Sequence, residues 1–344
     1  MADKSLIEWL GDPFLNSAGA TWNRWWGCRM VSHECLMCYI PRQPPLRQRH
    51  LSFDRVGIGG STGIVFAERR VLFYPLRKTK PLIIFPESLG DLWHEQVPDD
   101  TIAETWAVML LAWWHIFQCT TKRTTRQCNR LNSAAFADLV AEAVERIATE
   151  TLVRPADLER ARRHLAERLP GGAMRPLTNV WIGTTVGCSQ SAKTRLPYLR
   201  RTPAEVLWVS AEPITDLSLT FEGKLDDIHY AVFGGESGDK SKVHAEDTGP
   251  GTRLRRLDLD HLDEMIGHAQ QQNVAVFVKQ LGTPWAVLNG ASHPKGGDWD
   301  EWPEHLRIRQ YPRQLAERAL RIDPTNRLAL AALWVQGRIS AVSS

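Results

Sequence analysis

The sequence predicts an α/β fold: a full or partial TIM-like (β/α) barrel with mostly parallel strands, plus a small inserted hairpin. Short apolar runs of strand length alternate with longer stretches of helical period, and that alternation implies parallel strands joined by helical crossovers. The apolar runs pass directly into polar or charged residues at their C-terminal ends, where such a barrel carries its chemistry. An open sheet of Rossmann type is the competing reading, weakened because no Gly-x-Gly-x-x-Gly turn follows the first strand.

Residues 1–20 read as an irregular lead-in, and Thr21–Gly27 as a first short strand entering a cysteine loop. Residues 40–63, rich in Pro, Arg and Gly, carry loop signals. Ile64–Phe66 and Arg70–Tyr74 alternate as the two arms of a hairpin would. Pro81–Pro86 suits a buried strand, and Asp100–Trp114 a helix capped by Asp99 or Asp100. His115–Cys119 is the next strand, ending at Thr120-Thr121-Lys122-Arg123. Residues 133–169 read as helices broken near Pro155. Strands follow at Val180–Val186, Val206–Ser210, His229–Phe233 and Val274–Val278, with helices at Gln190–Arg200 and Leu257–Gln272. That makes about seven strands, without an internal repeat. Residues 1–312 are expected to form one barrel domain with a basic insertion at 42–80, and residues 313–344 a helical tail.

Composition narrows the class. The chain has 344 residues, 43% hydrophobic and 24% charged, which excludes a disordered or collagenous chain. Lys and Arg number 42 against 39 Asp and Glu, too balanced for net charge alone to mark a nucleic-acid binder. Apolar runs such as Ala107–Trp114 fall short of the ~18–20 residues that span a bilayer. The first residues lack the apolar core of a secretory signal. A cytoplasmic enzyme without membrane contact is the expectation.

Cys28, Cys35 and Cys38 form a C-x6-C-x2-C cluster, while Cys119, Cys128 and Cys188 are scattered and read as structural thiols. Three thiolates can bind zinc with His33 or His50 as a fourth ligand. They can equally hold three irons of a [4Fe–4S] cluster and leave the fourth iron open. An open iron can chelate the amino and carboxylate groups of S-adenosylmethionine (SAM). The absence of a second C-x2-C or H-x3–5-H favours iron–sulfur, and three unrelated thiols is the bland alternative.

Several stretches resemble the radical SAM superfamily, and more closely a related family of phage-encoded and bacterial three-cysteine proteins. They include Ile7-Glu8-Trp9, Thr21-Trp22-Asn23 with the cysteine loop and Tyr39, Leu89-Gly90-Asp91-Leu92-Trp93-His94, Thr121-Lys122-Arg123, Ser210-Ala211-Glu212-Pro213, Gly234-Gly235-Glu236-Ser237-Gly238 and Val276-Phe277-Val278-Lys279-Gln280. With Lys295-Gly296-Gly297-Asp298 and Trp302–Arg307 they cover most of residues 1–312. The first gap is x6 rather than the superfamily's usual x3, a length the phage family shares. Leu10–Ala20 looks like an insertion. Gly234-Gly235-Glu236 follows a late strand, so the amino-binding role of the superfamily's Gly-Gly-Glu motif does not transfer to Glu236.

The resemblance implies a [4Fe–4S] cluster on Cys28, Cys35 and Cys38, SAM as cofactor, and a reductant such as flavodoxin or ferredoxin. Candidate cofactor-binding residues are Met37, Tyr39, Asp91, Thr184, Glu212 and Glu236. Candidate catalytic residues are Lys122, Glu212 and Lys279, at the ends of apolar strands where charges converge over one mouth. Trp22, Trp25 and Trp26 beside the loop can shield a radical, stack on a base or simply pack.

Residues 42–80 hold nine Lys or Arg against Asp54 and Glu68, a local charge of +7 that leaves the rest of the chain at −4. This is the expected phosphate-tracking surface for a nucleic-acid or nucleotide substrate. With the resemblance it implies a radical SAM enzyme that modifies, rearranges or repairs a nucleic-acid base or nucleotide, as in phage-type DNA hypermodification. The competing functions are radical chemistry on a peptide or metabolite, and a zinc-stapled nucleic-acid-binding protein that is not an enzyme.

Overall fold

A computed structural model of the chain describes residues 4–5, 7–246 and 251–335. The strands are β1 (Ala20–Trp22), β2 (Trp25–Trp26), β3 (Val65–Phe66), β4 (Ile83–Pro86), β5 (Ile116–Thr121), β6 (Val180–Thr185), β7 (Val206–Ala211), β8 (Tyr230–Gly234) and β9 (Ala275–Gln280). The helices are α1 (Pro44–Arg47), α2 (Asp99–Leu111), α3 (Thr124–Leu131), α4 (Ala134–Glu150), α5 (Pro155–Ala166), α6 (Ser189–Arg200), α7 (Leu259–Gln271), α8 (Thr283–Leu288), α9 (Arg313–Ile322) and α10 (Arg327–Val335).

Seven strands form one parallel sheet in the order β1-β4-β5-β6-β7-β8-β9, curled into a half-barrel. Within this sheet each strand pairs with its successor in chain order, as short crossovers demand. The strands alternate between two cores. One face, with Phe117, Cys119, Ile182 and Val276, packs under the helices. The other, with Phe85, Ile116, Trp181, Trp208, Tyr230 and Phe277, fills the inside of the curl. Trp9 and Leu10, on a short 3-10 turn, and Leu315 of α9 complete that inner cluster. The outer edge of β9 is covered: the Val278 N–H donates to the Ile308 carbonyl (2.9 Å), and Gln310 N–H to Val276 (2.7 Å).

Three expectations change. The strand expected over Thr21–Gly27 breaks at Asn23–Arg24. There the N–H groups of Arg24 and Trp25 turn aside to the buried Glu87 carboxyl, at 2.6 and 3.4 Å. The inserted hairpin pairs β3 with β2 instead, Trp25 opposite Phe66. Its expected second arm opens as a 3-10 turn at Arg69–Val71, because Leu72 and Tyr74 enter the core and the Val71 carbonyl accepts the Trp22 indole N–H at 2.8 Å. Helix α2 starts after Pro98, so Asp99 and Asp100 lie in its first turn rather than at its cap. There they still favour the helix dipole. The start of the tail forms α9 and α10, and residues 336–344 lie outside the described residues. Among the described residues, no helix is long and apolar enough to cross a membrane.

Candidate three-cysteine site

The loop from Cys28 to Cys38 lies over the C-terminal ends of the strands, tethered at three points. At β5, Arg123 Nη2 donates to the Arg29 carbonyl at 3.3 Å. At β6, the Glu34 carboxylate meets Arg195 Nη1 and the Gly187 N–H, both at 3.2 Å. At β8, Arg255 grips the Glu236 carboxylate and donates to the His33 carbonyl at 2.8 Å. Two glycines let the backbones close in. Gly27 has φ +106°, and a Cβ there would lie 2.0 Å from the Gly63 oxygen. A Cβ on Gly187 would lie 2.0 Å from the Pro213 oxygen and 2.9 Å from Glu34 Cγ.

The three thiols feel one another and two cations. Burial, then the charges of Asp91, Cys38 and Cys35, push the Cys28 thiol up to about 12 against the pull of Arg123. Arg123 Nη1 stands 3.8 Å from Cys28 Sγ. Burial and Cys35 also raise Cys38. Burial opposes ionisation of Cys35, but Lys122 and the hydrogen bonds from Val31 and Ser32 outweigh it and hold this thiol below its ordinary value. Lys122 answers in kind: burial would discharge it, while Cys35, Glu34 and Cys38 keep its ammonium charged. Burial would raise the Glu34 carboxyl too, yet Arg195 and its other partners keep it at about 2.

Among the described residues, no three His, Cys, Asp or Glu side chains are grouped to hold a single metal ion, and His33 and His50 do not join the thiols in such a group. One zinc needs its ligands at one point. A cubane cluster takes its three thiolates at separate corners. The donor set, three soft sulfurs on one loop with Arg123 and Lys122 offsetting negative charge, is of the kind that fits such a cluster.

The other expected residues divide. Asp91 is spent on the protein: it accepts from Thr121 Oγ1 (2.6 Å), Trp93 N–H (2.9 Å), Lys122 N–H (3.1 Å) and Arg123 Nη1 (2.9 Å). Burial would raise its carboxyl, and these partners, Arg123 foremost, lower it instead. Asp91 thus aims Arg123 at Cys28. Glu236 is held by Arg255, whose N–H and Nε donate to Oε2 at 2.8 and 3.1 Å. Thr184 faces the helix layer, its hydroxyl donating to the Thr121 carbonyl at 2.6 Å; it is Thr185 that turns inward. Met37 packs with Val243 and Leu254, anchoring the loop beyond β8.

Tyr39, Glu212 and Lys279 do come together beside the thiols. The Tyr39 hydroxyl donates to the Ser88 carbonyl; burial of this hydroxyl end raises its pKa, helped by Cys38 and Glu212, while the residue as a whole stays half-exposed. Lys279 Nζ lies 3.0 Å from Glu212 Oε1; burial opposes its charge, and Glu212 with Glu8 restores it. The pattern missed Glu34, Arg195 and Arg255. The one signal for Glu34 was the length of the x6 gap, which provides the turn that holds it.

The basic segment is split. Arg69 is taken by Glu104 (2.5 Å) and Glu150 (2.8 Å), and Arg70 by Glu68 (2.6 Å). The Lys78 carbonyl accepts from Trp114 and the Pro75 carbonyl meets the His115 ring, so this half runs down to the N-terminal ends of the strands. Arg77 and Lys78 therefore run away from the cysteine mouth, and Arg69 and Arg70 are taken up in ion pairs. Arg42, by contrast, donates to the Met37 carbonyl, and Arg49 lies over the Trp26 ring at 4.9 Å. Arg47, Arg49 and Arg55 are exposed beside the loop, together with the half-exposed Phe66 and Tyr39.

Fold and site together define a parallel β/α half-barrel that carries a three-cysteine loop over the C-terminal ends of its strands. The chain belongs to the family described as "Protein of unknown function (DUF5131)", whose model matches residues 5–303. No curated protein matches. Among solved structures, a spore photoproduct lyase mutant is similar over 80% of this chain and 79% of that one, at 9% identity and a TM-score of 0.37.

Proposed function

We propose that the protein is a radical SAM enzyme that acts on a nucleic-acid base or nucleotide. The observation that carries this reading is the cysteine loop itself. It sets three thiols over the C-terminal mouth of a half-barrel and surrounds them with Arg123 and Lys122. Cys28, Cys35 and Cys38 would hold a [4Fe–4S] cluster, which when bound supplies the electron that cleaves SAM to a 5′-deoxyadenosyl radical. The chain's own residues bind, orient and exclude water. Asp91 fixes Arg123, and Glu34 and Arg255 pin the loop. The Lys279–Glu212 pair offers an ammonium and a carboxylate to ligand groups, or a route for a proton. A flavodoxin or ferredoxin is the expected electron donor. Support for a nucleic-acid substrate is the set of exposed cations Arg47, Arg49 and Arg55, of which Arg49 lies over the Trp26 ring, together with the half-exposed Phe66 and Tyr39.

Anaerobic reconstitution with iron, sulfide and zinc quantitation tests the cluster. About four irons per chain are expected. Loading should vanish in Cys28→Ala, Cys35→Ala or Cys38→Ala and persist in Cys128→Ala. One zinc and no iron would sink the reading. The reduced, loaded protein should also convert SAM to 5′-deoxyadenosine and methionine.

A further inference from the structure

Strand β5 sends Phe117 and Cys119 into the helix-facing core, while Ile116 joins the inner one. By that alternation Gln118 and Thr120 face the inside of the half-barrel. Gln118 lies opposite Trp181 of β6, and Thr120 opposite Gly183. The Trp208 indole presses on Gly183 so closely that a Cβ there would stand 2.4 Å from the ring. Trp9 spans the same interior, 5.1 Å from Phe85 and 5.3 Å from Trp208 between ring centroids. Gln118 is thus a carboxamide enclosed by aromatic rings that fill the interior. One residue past the end of β5, Lys122 feels the charges of Cys35 and Cys38.

Gln118 is fully buried, and neither Oε1 nor Nε2 has a hydrogen-bond partner. The Thr120 hydroxyl, Trp9 Nε1 and the Tyr230 hydroxyl of the same interior are buried and unpaired as well. An unpaired buried amide costs stability that leucine or methionine at this position would not. Its donors and acceptor lie side by side, as on the edge of a nucleobase, and Gln pairs in this bidentate way with adenine. Aromatic walls supply the stacking that holds a base taken out of its helix.

We propose that Gln118, assisted by Thr120, reads the edge of a nucleobase brought into the half-barrel beneath the cysteine loop. The assignment rests on the function proposed above and specifies its subsite. The base is either the adenine of SAM or a base of the substrate. Trp9 reaches this lining from a short turn, not from a strand, and because rings fill the interior, admitting a base requires that this one move aside.

The test compares full-length wild type with Gln118→Leu, which keeps the volume and removes the amide. Thermal melting of Gln118→Leu should match or exceed wild type, because an unpaired amide is gone. Calorimetric titration of SAM and of a short single-stranded oligonucleotide into the cluster-loaded proteins then separates the two sources. Affinity should fall about tenfold for the one whose base sits at Gln118 and stay unchanged for the other, a tenfold loss being about 1.4 kcal/mol, within the range of one bidentate base contact. Adenosine and thymidine titrated before cluster loading, followed by tryptophan fluorescence, make the test independent of iron. The proposal is overturned if every affinity is unchanged, if wild type binds none of these ligands, or if Gln118→Leu melts several degrees lower as a packing role predicts. Failure to load iron, with nucleoside binding intact and dependent on Gln118, would instead overturn only the radical SAM reading.

Discussion

At the scale of single residues, the cysteines were legible because a C-x6-C-x2-C spacing is local, and so were the charges that follow each strand. What holds the cysteine loop was not legible. Glu34 and Arg195 stand 161 positions apart, and no period or spacing links them. Both are buried, with side chains 0% and 7% exposed, so neither tolerates the loss of the other. Glu34→Ala should therefore cost about 3–5 kcal/mol, the usual penalty for stranding one member of a buried pair. Denaturant unfolding of Glu34→Ala beside Glu34→Gln checks this: Gln retains an acceptor for Gly187 and should lose less. A similar argument applies to Gly187→Ala, whose methyl group would collide with the Pro213 carbonyl. It should lower both stability and iron loading, whereas Gly267→Ala, which meets nothing and lies inside α7, should leave iron loading unchanged and raise stability by roughly 0.5–1 kcal/mol.

At the scale of elements, the strands were readable because each is an apolar run too short for a helix and bounded by polar residues. Their ends moved by a residue or two, as frayed boundaries do. The two real misreadings share a cause. Alternation over Arg70–Tyr74 and continuity over Thr21–Gly27 describe side-chain burial, and burial does not say where the backbone N–H groups go. In one segment the Val71 carbonyl serves Trp22; in the other Glu87 stands in for a neighbouring strand. The junction of β4 and β5 makes a testable case of such borrowed bonding. His115 accepts the Leu82 N–H at Nδ1 (3.2 Å), and its Nε2 lies 3.0 Å from the Pro75 carbonyl. Burial, opposed by the Pro75 bond and aided by Arg318, lowers its pKa to about 4 from 6.5. The unfolded chain thus takes up this proton first, so acid favours unfolding. Stability from this site is complete above pH 6.5, falls as the pH drops towards 4, and is lost below it, by about 3 kcal/mol in all. His94 is lowered to about 4 as well and adds to the same trend. Melting temperature against pH should flatten over that window in His115→Asn, though not completely, since His94 remains.

At the scale of the whole molecule, the curl of the sheet decides what the sequence could not: which charges share a surface. Residues 42–80 form one basic block in the chain, but the fold sends Arg69 and its successors down the outside of the half-barrel and leaves Arg47, Arg49 and Arg55 at the mouth. Two sets of charge reversals should then behave differently. Reversing Arg47, Arg49 and Arg55 to Glu removes cations that are exposed beside the cysteine loop. Oligonucleotide affinity should fall, and the slope of log affinity against log salt should lessen by about 0.7 for each phosphate of a single strand that is no longer neutralised. Iron content should stay as in wild type, and melting should fall only slightly, by the loss of the Arg49 contact with the Trp26 ring. Reversing Arg69 instead places a carboxylate against Glu104 and Glu150, within a network that also holds Arg24 and Arg146. That variant should melt lower while its salt slope is unchanged. If the Arg69 variant alone weakens oligonucleotide binding, the mouth is not where the phosphates lie. If neither does, the substrate is not a polyanion, and a peptide or metabolite takes its place.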